Sequence, residues 1–106
     1  MEVGPWIIMG DFNSVLDPLD RANGSPITDY EMRDFIQCCS DLGLHELNTC
    51  GPYFTWTNGD TWSKIDRVLC NTNWTASFQF SYAMVSNIET VSDHASLVIN
   101  TDPSSS

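Results

Sequence analysis

Positive charge is scarce in this chain: four lysines and arginines stand against fourteen aspartates and glutamates, a net charge of −10. A phosphate backbone attracts bases and repels carboxylates, so composition alone argues against nucleic-acid binding. Two readings of the acids stay open. They can simply keep a domain in solution, or some of them can hold a divalent cation, which inverts the local charge logic. Long apolar runs are also missing; a membrane-spanning helix needs about 18 consecutive apolar residues, and no such stretch occurs. Residues 1–9 have no early base and no small-residue cleavage site, so no signal peptide is read there. Cys38, Cys39, Cys50 and Cys70 lack C-x-x-C spacing, and His45 and His94 are the only histidines, which speaks against a zinc site. The cysteines are expected to be reduced thiols in an intracellular protein.

The chain has 106 residues, of which 42% are hydrophobic, enough for one domain with one modest core. Trp6 to Met9 reads as a short strand buried on both faces, ending in a turn at Gly10-Asp11-Phe12-Asn13. Pro18, Gly24 and Pro26 mark residues 17–27 as a loop. Thr28 and Glu31 form a capping box, Met32, Phe35, Ile36, Cys39 and Leu42 recur at helical spacing, and Gly43 stands at the C-cap. These signals predict a helix over 29–42. Leu44 and Leu47 are expected to pack beneath it. Tyr53 to Thr57 is rich in β-formers and is closed by Asn58-Gly59, a hairpin signal. Further strands are expected over 64–70, with Asp66, Val68 and Cys70 facing one way, over 78–85, and over 95–99. Residues 101–106 read as a disordered tail.

Three polar islands lie at the ends of these strands: Gly10-Asp11-Phe12-Asn13, Lys64-Ile65-Asp66-Arg67, and Ser92-Asp93-His94. Asp11 and Asn13 can together hold a water, or can merely form an Asx turn. Asp66, half buried on an alternating strand, needs a partner, either a base within the sheet or a histidine that it orients. His94 can act as an acid or base, or sit idle in a solvated turn.

In this order and spacing the islands resemble the endonuclease/exonuclease/phosphatase (DNase I-like) family. The phrases Tyr53-Phe54-Thr55-Trp56-Thr57-Asn58-Gly59 and Ser63-Lys64-Ile65-Asp66-Arg67-Val68-Leu69 are most similar to LINE-type retrotransposon endonuclease domains. The resemblance implies an α/β (α+β) fold, a partial DNase I-like two-sheet sandwich, with residues 1–100 as the C-terminal half of the domain. It implies a phosphodiesterase acting on DNA with Mg²⁺, or Mn²⁺, as cofactor. Asp11 would position or deprotonate the attacking water, and Asn13 would bind that water or the phosphate. Asp66 would orient His94, His94 would bind phosphate, and Asp93 would contribute to the metal site. Trp56, Phe54 and Asn58 are candidates for nucleic-acid contact, although aromatic residues in a short strand such as Trp56 and Phe54 more often serve as core. The family's Asn, its metal-binding Glu in a Gln-Glu segment and its Tyr have no counterpart here. The chain alone is therefore expected to bind DNA weakly, to hydrolyse little, and to need a missing N-terminal half or a second chain. No membrane partner is expected, and the resemblance implies a nuclear location. A non-catalytic relic or interaction module, and a phosphatase for inositol phosphates or lipids, remain the alternatives.

Overall fold

The strand that organises the chain is the one carrying the second island. It runs antiparallel to two partners and so forms the centre of a three-stranded sheet. In the computed structural model, which describes residues 4–89 and 92–101, the strands are β1 (Ile7–Asp11), β2 (Arg21–Ala22), β3 (His45–Glu46), β4 (Thr49–Cys50), β5 (Trp56–Thr57), β6 (Trp62–Ser63), β7 (Asp66–Cys70), β8 (Tyr82–Val85) and β9 (Leu97–Asn100). Two α-helices, α1 (Asp29–Leu42) and α2 (Thr72–Ser77), and a 3-10 turn at Pro18–Asp20 complete the described residues. The strands form three small sheets, ordered β1-β7-β3, β2-β6-β5 and β4-β8-β9, with only β4 and β8 parallel.

Val68 and Cys70, alternating with Arg67 and Leu69 along β7, point to one face of the first sheet. There they meet Leu47 and Ala83, with Ile7, Trp74, Leu97 and Ile99 packed around them. The core thus takes side chains from the β1-β7-β3 sheet and from β8 and β9. On the opposite face lies Arg67, whose guanidinium sits 5.9 Å from the ring centre of Phe35 on α1, and Phe35 stacks on Phe12 at 5.4 Å. The mixed α/β architecture fits a partial DNase I-like domain.

Local chemistry sets the helix as the sequence predicts. Thr28 and Glu31 satisfy each other's backbone donors at the start of α1, and Gly43 closes it in the left-handed conformation at φ 67°. Met32 and Cys39 are buried, whereas Ile36 and Leu42 remain exposed. Leu47 joins the core of β7 and β8 instead of lying beneath the helix.

Several expectations are corrected. The first strand is not buried on both faces: β1 is an edge strand, and Ile8 and Met9 are 40% and 49% exposed. It also runs on through Gly10 and Asp11, so the turn falls at Asn13, with φ 50°. The loop 17–27 holds the 3-10 turn and β2. Strand pairing before the hairpin is confined to Trp56 and Thr57, and β7 starts at Asp66. The strand expected from residue 78 begins at Tyr82, because Asn71 caps a short helix that ends at Phe78. The last strand is Leu97–Asn100. Of the expected tail, residues 102–106 lie outside the described residues. All four cysteines are free thiols, Cys39 and Cys70 buried.

Candidate active site

Antiparallel pairing of β1 with β7 puts Asp11 directly opposite Asp66. Phe12 N–H donates to the Ile65 carbonyl at 2.9 Å, which makes the adjacent Asp11–Asp66 pair a non-hydrogen-bonded one, the kind in which side chains stand closest. Two like charges so placed repel each other unless a cation or a donor comes between them. His94 does so.

The histidine is delivered by the hairpin. Residues 93–95 run beside β5: Thr57 N–H donates to the Asp93 carbonyl at 3.1 Å, Ala95 N–H to the Thr55 carbonyl at 2.7 Å, and His94 bridges Trp56. Ser92 Oγ accepts from His94 N–H at 3.2 Å and donates to the His94 carbonyl at 3.1 Å. The imidazole then spans the two acids. Its Nδ1 lies 2.8 Å from Asp66 Oδ2, and its Nε2 lies 3.8 Å from Asp11 Oδ2 and 4.0 Å from Asp93 Oδ1.

The hydrogen bond to Asp66 is the largest influence on the imidazole and raises its pKa above the ordinary histidine value. Partial burial works against it, and the charges of Asp66, Asp93 and Asp11 add to the rise. Asp66 fixes the proton on Nδ1, leaving Nε2 to face the opening. The side chain of Asp66 is 11% exposed and that of Asp93 68%, so the first is a sheltered orienting group and the second a solvated carboxylate.

An open cleft of about 760 Å³ adjoins this group, lined among others by Asp11, Asn13, Trp56, Asn58, Ile65 and His94. Asn13 and Asp11 share an Asx turn, Asn13 N–H donating to Asp11 Oδ1 at 2.7 Å. Asp11 thus has one oxygen committed to the turn and one directed toward His94. Asp93 lines a neighbouring depression with Trp62 and Glu89. Trp56 is half-buried at the cleft, and Asn58 is exposed there, its Oδ1 accepting from Asp60 and Thr61 N–H. Phe54 lies elsewhere, in a hollow beside Pro52, Tyr53 and Trp62, and edge-on to Tyr53 at 5.2 Å.

Asp11, Asp66 and His94 each offer a ligand atom within 4.8 Å of one another, a cluster of the kind that can hold a metal ion. The Asp66–His94 contact within it is a hydrogen bond, so Asp66 Oδ2 and Nδ1 are already used. The second oxygen of Asp11 is the cluster's free donor, and Asp93, outside the cluster, approaches His94 Nε2 at 4.0 Å. Carboxylate oxygen fits a hard cation such as Mg²⁺, which takes one or two carboxylates and keeps several waters. It does not fit zinc, which prefers nitrogen and sulfur.

Two residues had no signal in the sequence. Thr55, 1% exposed, accepts the backbone N–H groups of Ile65 and Asp66 on its hydroxyl. Arg67 is buried and pairs with Asp20 at 2.5 Å and with Glu46 at 2.8 Å. A threonine within an aromatic strand and a base beside a candidate acid look ordinary until the pairing is known.

A sequence model of the Endonuclease/Exonuclease/phosphatase family matches residues 2–94, a span that contains all three islands. No curated protein and no solved structure matches the chain.

Proposed function

The chain belongs to the endonuclease/exonuclease/phosphatase family, and from that premise we propose that its cleft hydrolyses DNA phosphodiester bonds with the help of a bound divalent cation, Mg²⁺ or Mn²⁺. The observation that carries the reading is the imidazole of His94, held 2.8 Å from Asp66 and facing Asp11 at 3.8 Å across an open cleft.

A phosphodiester repels anionic nucleophiles, so a catalyst must neutralise the phosphate and align a water opposite the leaving oxygen. His94, its cationic form favoured by Asp66, donates from Nε2 to a non-bridging phosphate oxygen and stabilises the charge that develops there. Asp11 orients the water and accepts its proton. The amide of Asn13 holds the water or a second phosphate oxygen. Asp93 would contribute to holding the cation, which when bound supplies Lewis-acid polarisation of the phosphate. Trp56 and Asn58 offer a face for the sugar or base next to the reacting phosphate.

The phrases around the hairpin and β7 support placing the chain with LINE-type retrotransposon endonucleases, with a nuclear location to match. They also favour DNA over inositol phosphates or lipids. Turnover by this chain alone should be slow. The family's further metal-binding Glu has no recognised counterpart in the sequence. Among the bases, Lys64 and Arg67 are buried in ion pairs and Arg21 is tied to Glu31, which leaves little to attract DNA. That shortage favours a second reading, a non-catalytic relic or interaction module.

Nicking of supercoiled plasmid in Mg²⁺ separates the two. The proposal expects slow nicking that is abolished by chelation, by His94→Ala and by Asp93→Ala. Nicking unaffected by these substitutions overturns the proposal, and a complete lack of nicking favours the relic.

A further inference from the structure

The Asp66–His94 contact joins two segments far apart in the sequence, and neither segment holds the other through its own strand pairing. β3 pairs only with the Cys70 and Leu69 end of β7, and Leu47 N–H reaches as far as the Val68 carbonyl. At the Asp66 end, that edge of β7 has no strand beside it among the described residues. The backbone N–H groups of Ile65 and Asp66 instead donate to the hydroxyl of Thr55, at 3.1 and 3.0 Å. A hydroxyl has two acceptor lone pairs, and Thr55 gives both to the peptide that carries Asp66.

The other side of the same residue holds the histidine. The Thr55 carbonyl accepts from Ala95 N–H at 2.7 Å, the shortest of the backbone bonds that tie residues 93–95 to the hairpin. The Thr55 N–H is anchored in turn on the Ser63 carbonyl at 2.9 Å. One residue thus binds the backbone at Asp66 through its side chain and the backbone next to His94 through its main chain. A valine would pack equally well here and would offer no acceptor.

We propose that Thr55 is a positioning residue that sets the Asp66–His94 geometry, its hydroxyl fixing the carboxylate and its carbonyl fixing the imidazole. The inference deepens the reading of Asp66 and His94 as a catalytic pair, but the geometry it concerns can be measured without turnover. Loss of the hydroxyl frees one edge of the start of β7, whose other edge stays paired with β1, and the carboxylate drifts from Nδ1 while the core of Val68, Cys70 and Ala83 stays packed.

The test is the ring N–H resonance of His94 in the full chain, observed by NMR with ¹⁵N-labelled histidine. A proton on Nδ1 bonded to a carboxylate resonates far downfield and exchanges slowly, and Asp66→Ala, which removes the acceptor, identifies it. Thr55→Val is expected to fold, to lose or shift that resonance, and to leave the His45 ring signals unchanged. Thr55→Ser, which restores the acceptor, is expected to keep the resonance. A folded Thr55→Val variant with the wild-type resonance overturns the proposal, and so does loss of the resonance in Thr55→Ser. If the valine variant does not fold, hydrogen exchange in the unaltered chain decides. Protected Ile65 and Asp66 amides support the tie, and amides exchanging as fast as those of the 58–61 loop refute it. Failure of plasmid nicking with the threonine effect intact would count against the hydrolase reading alone.

Discussion

Arg67→Met is the substitution whose cost follows most directly from the packing. The Arg67 side chain is fully buried, and its guanidinium donates to Asp20 at 2.5 Å, to Glu46 at 2.8 Å and to the Lys64 carbonyl at 2.9 Å. Asp20 is 2% exposed and also accepts from Tyr53 and from the backbone N–H of Leu16 and Asp17. Methionine fills much of the volume but leaves the carboxylate buried without its counter-charge. Removing one partner of a buried pair costs about 3–5 kcal/mol, against a total stability of about 5–15 kcal/mol for a domain. Urea unfolding followed by tryptophan fluorescence should show that loss at neutral pH. Burial alone would raise the pKa of Asp20, but the bonds from Tyr53 and Arg67 outweigh it and hold the carboxyl below its ordinary value. Its contribution is therefore present above the ordinary carboxylate pKa and disappears as pH falls through the depressed one. The difference between wild type and Arg67→Met should narrow toward acid for the same reason. A loss below about 1 kcal/mol at neutral pH, the size expected of a solvated surface pair, would refute the account of this network.

The imidazole gives a pH prediction of opposite sign. Because the folded pKa of His94 is raised, its stabilisation is complete below the ordinary histidine value and is lost as pH rises through the folded one. Asp66→Asn removes the main cause, so the ¹H–¹⁵N titration of His94 should move to lower pH, and any alkaline fall in nicking should move with it; an unmoved titration contradicts the assignment. Gly51 has φ +105°, and a Cβ there would stand 2.2 Å from the Val85 carbonyl oxygen. Gly51→Ala should therefore cost about 1–3 kcal/mol by thermal unfolding, whereas a stability within a few tenths of wild type would mean that β4 and β8 approach less closely.

What the sequence revealed depended on how local each cause was. Helix α1 was legible because Thr28, Glu31 and Gly43 act on their own backbone neighbours. Helix α2 was missed because Thr72–Ser77 has no apolar period and its start rests on a single cap, the Asn71 side chain accepting from Trp74 N–H. The two faces of β7 were legible from alternation, Asp66, Val68 and Cys70 on one and Arg67 and Leu69 on the other, but not which of them meets the core, since both are buried. The exposure of Ile8 and Met9 was not, because an apolar run says nothing about whether a second sheet or helix covers it. At the site, each polar island was visible as a residue type at a strand end. Their meeting depends on the register that sets Asp11 against Asp66 and on the hairpin edge that receives His94. Both are long-range pairings with no local mark. Thr55 and Arg67 were hidden for the same reason.

The central claim is that a divalent cation and a phosphodiester meet beside His94, and Mn²⁺ titration in the presence of dimethyl phosphate, read from the histidine ring signals, tests it most directly. His45 serves as the internal control, since it is bound to Thr75 and Cys70 at the opposite end of β7 from Asp66. The account predicts that substoichiometric Mn²⁺ broadens the His94 ring signals, that Asp93→Asn weakens the effect, and that His45 stays sharp. A His94 ring that remains as sharp as His45, or two histidines that broaden equally, would contradict it.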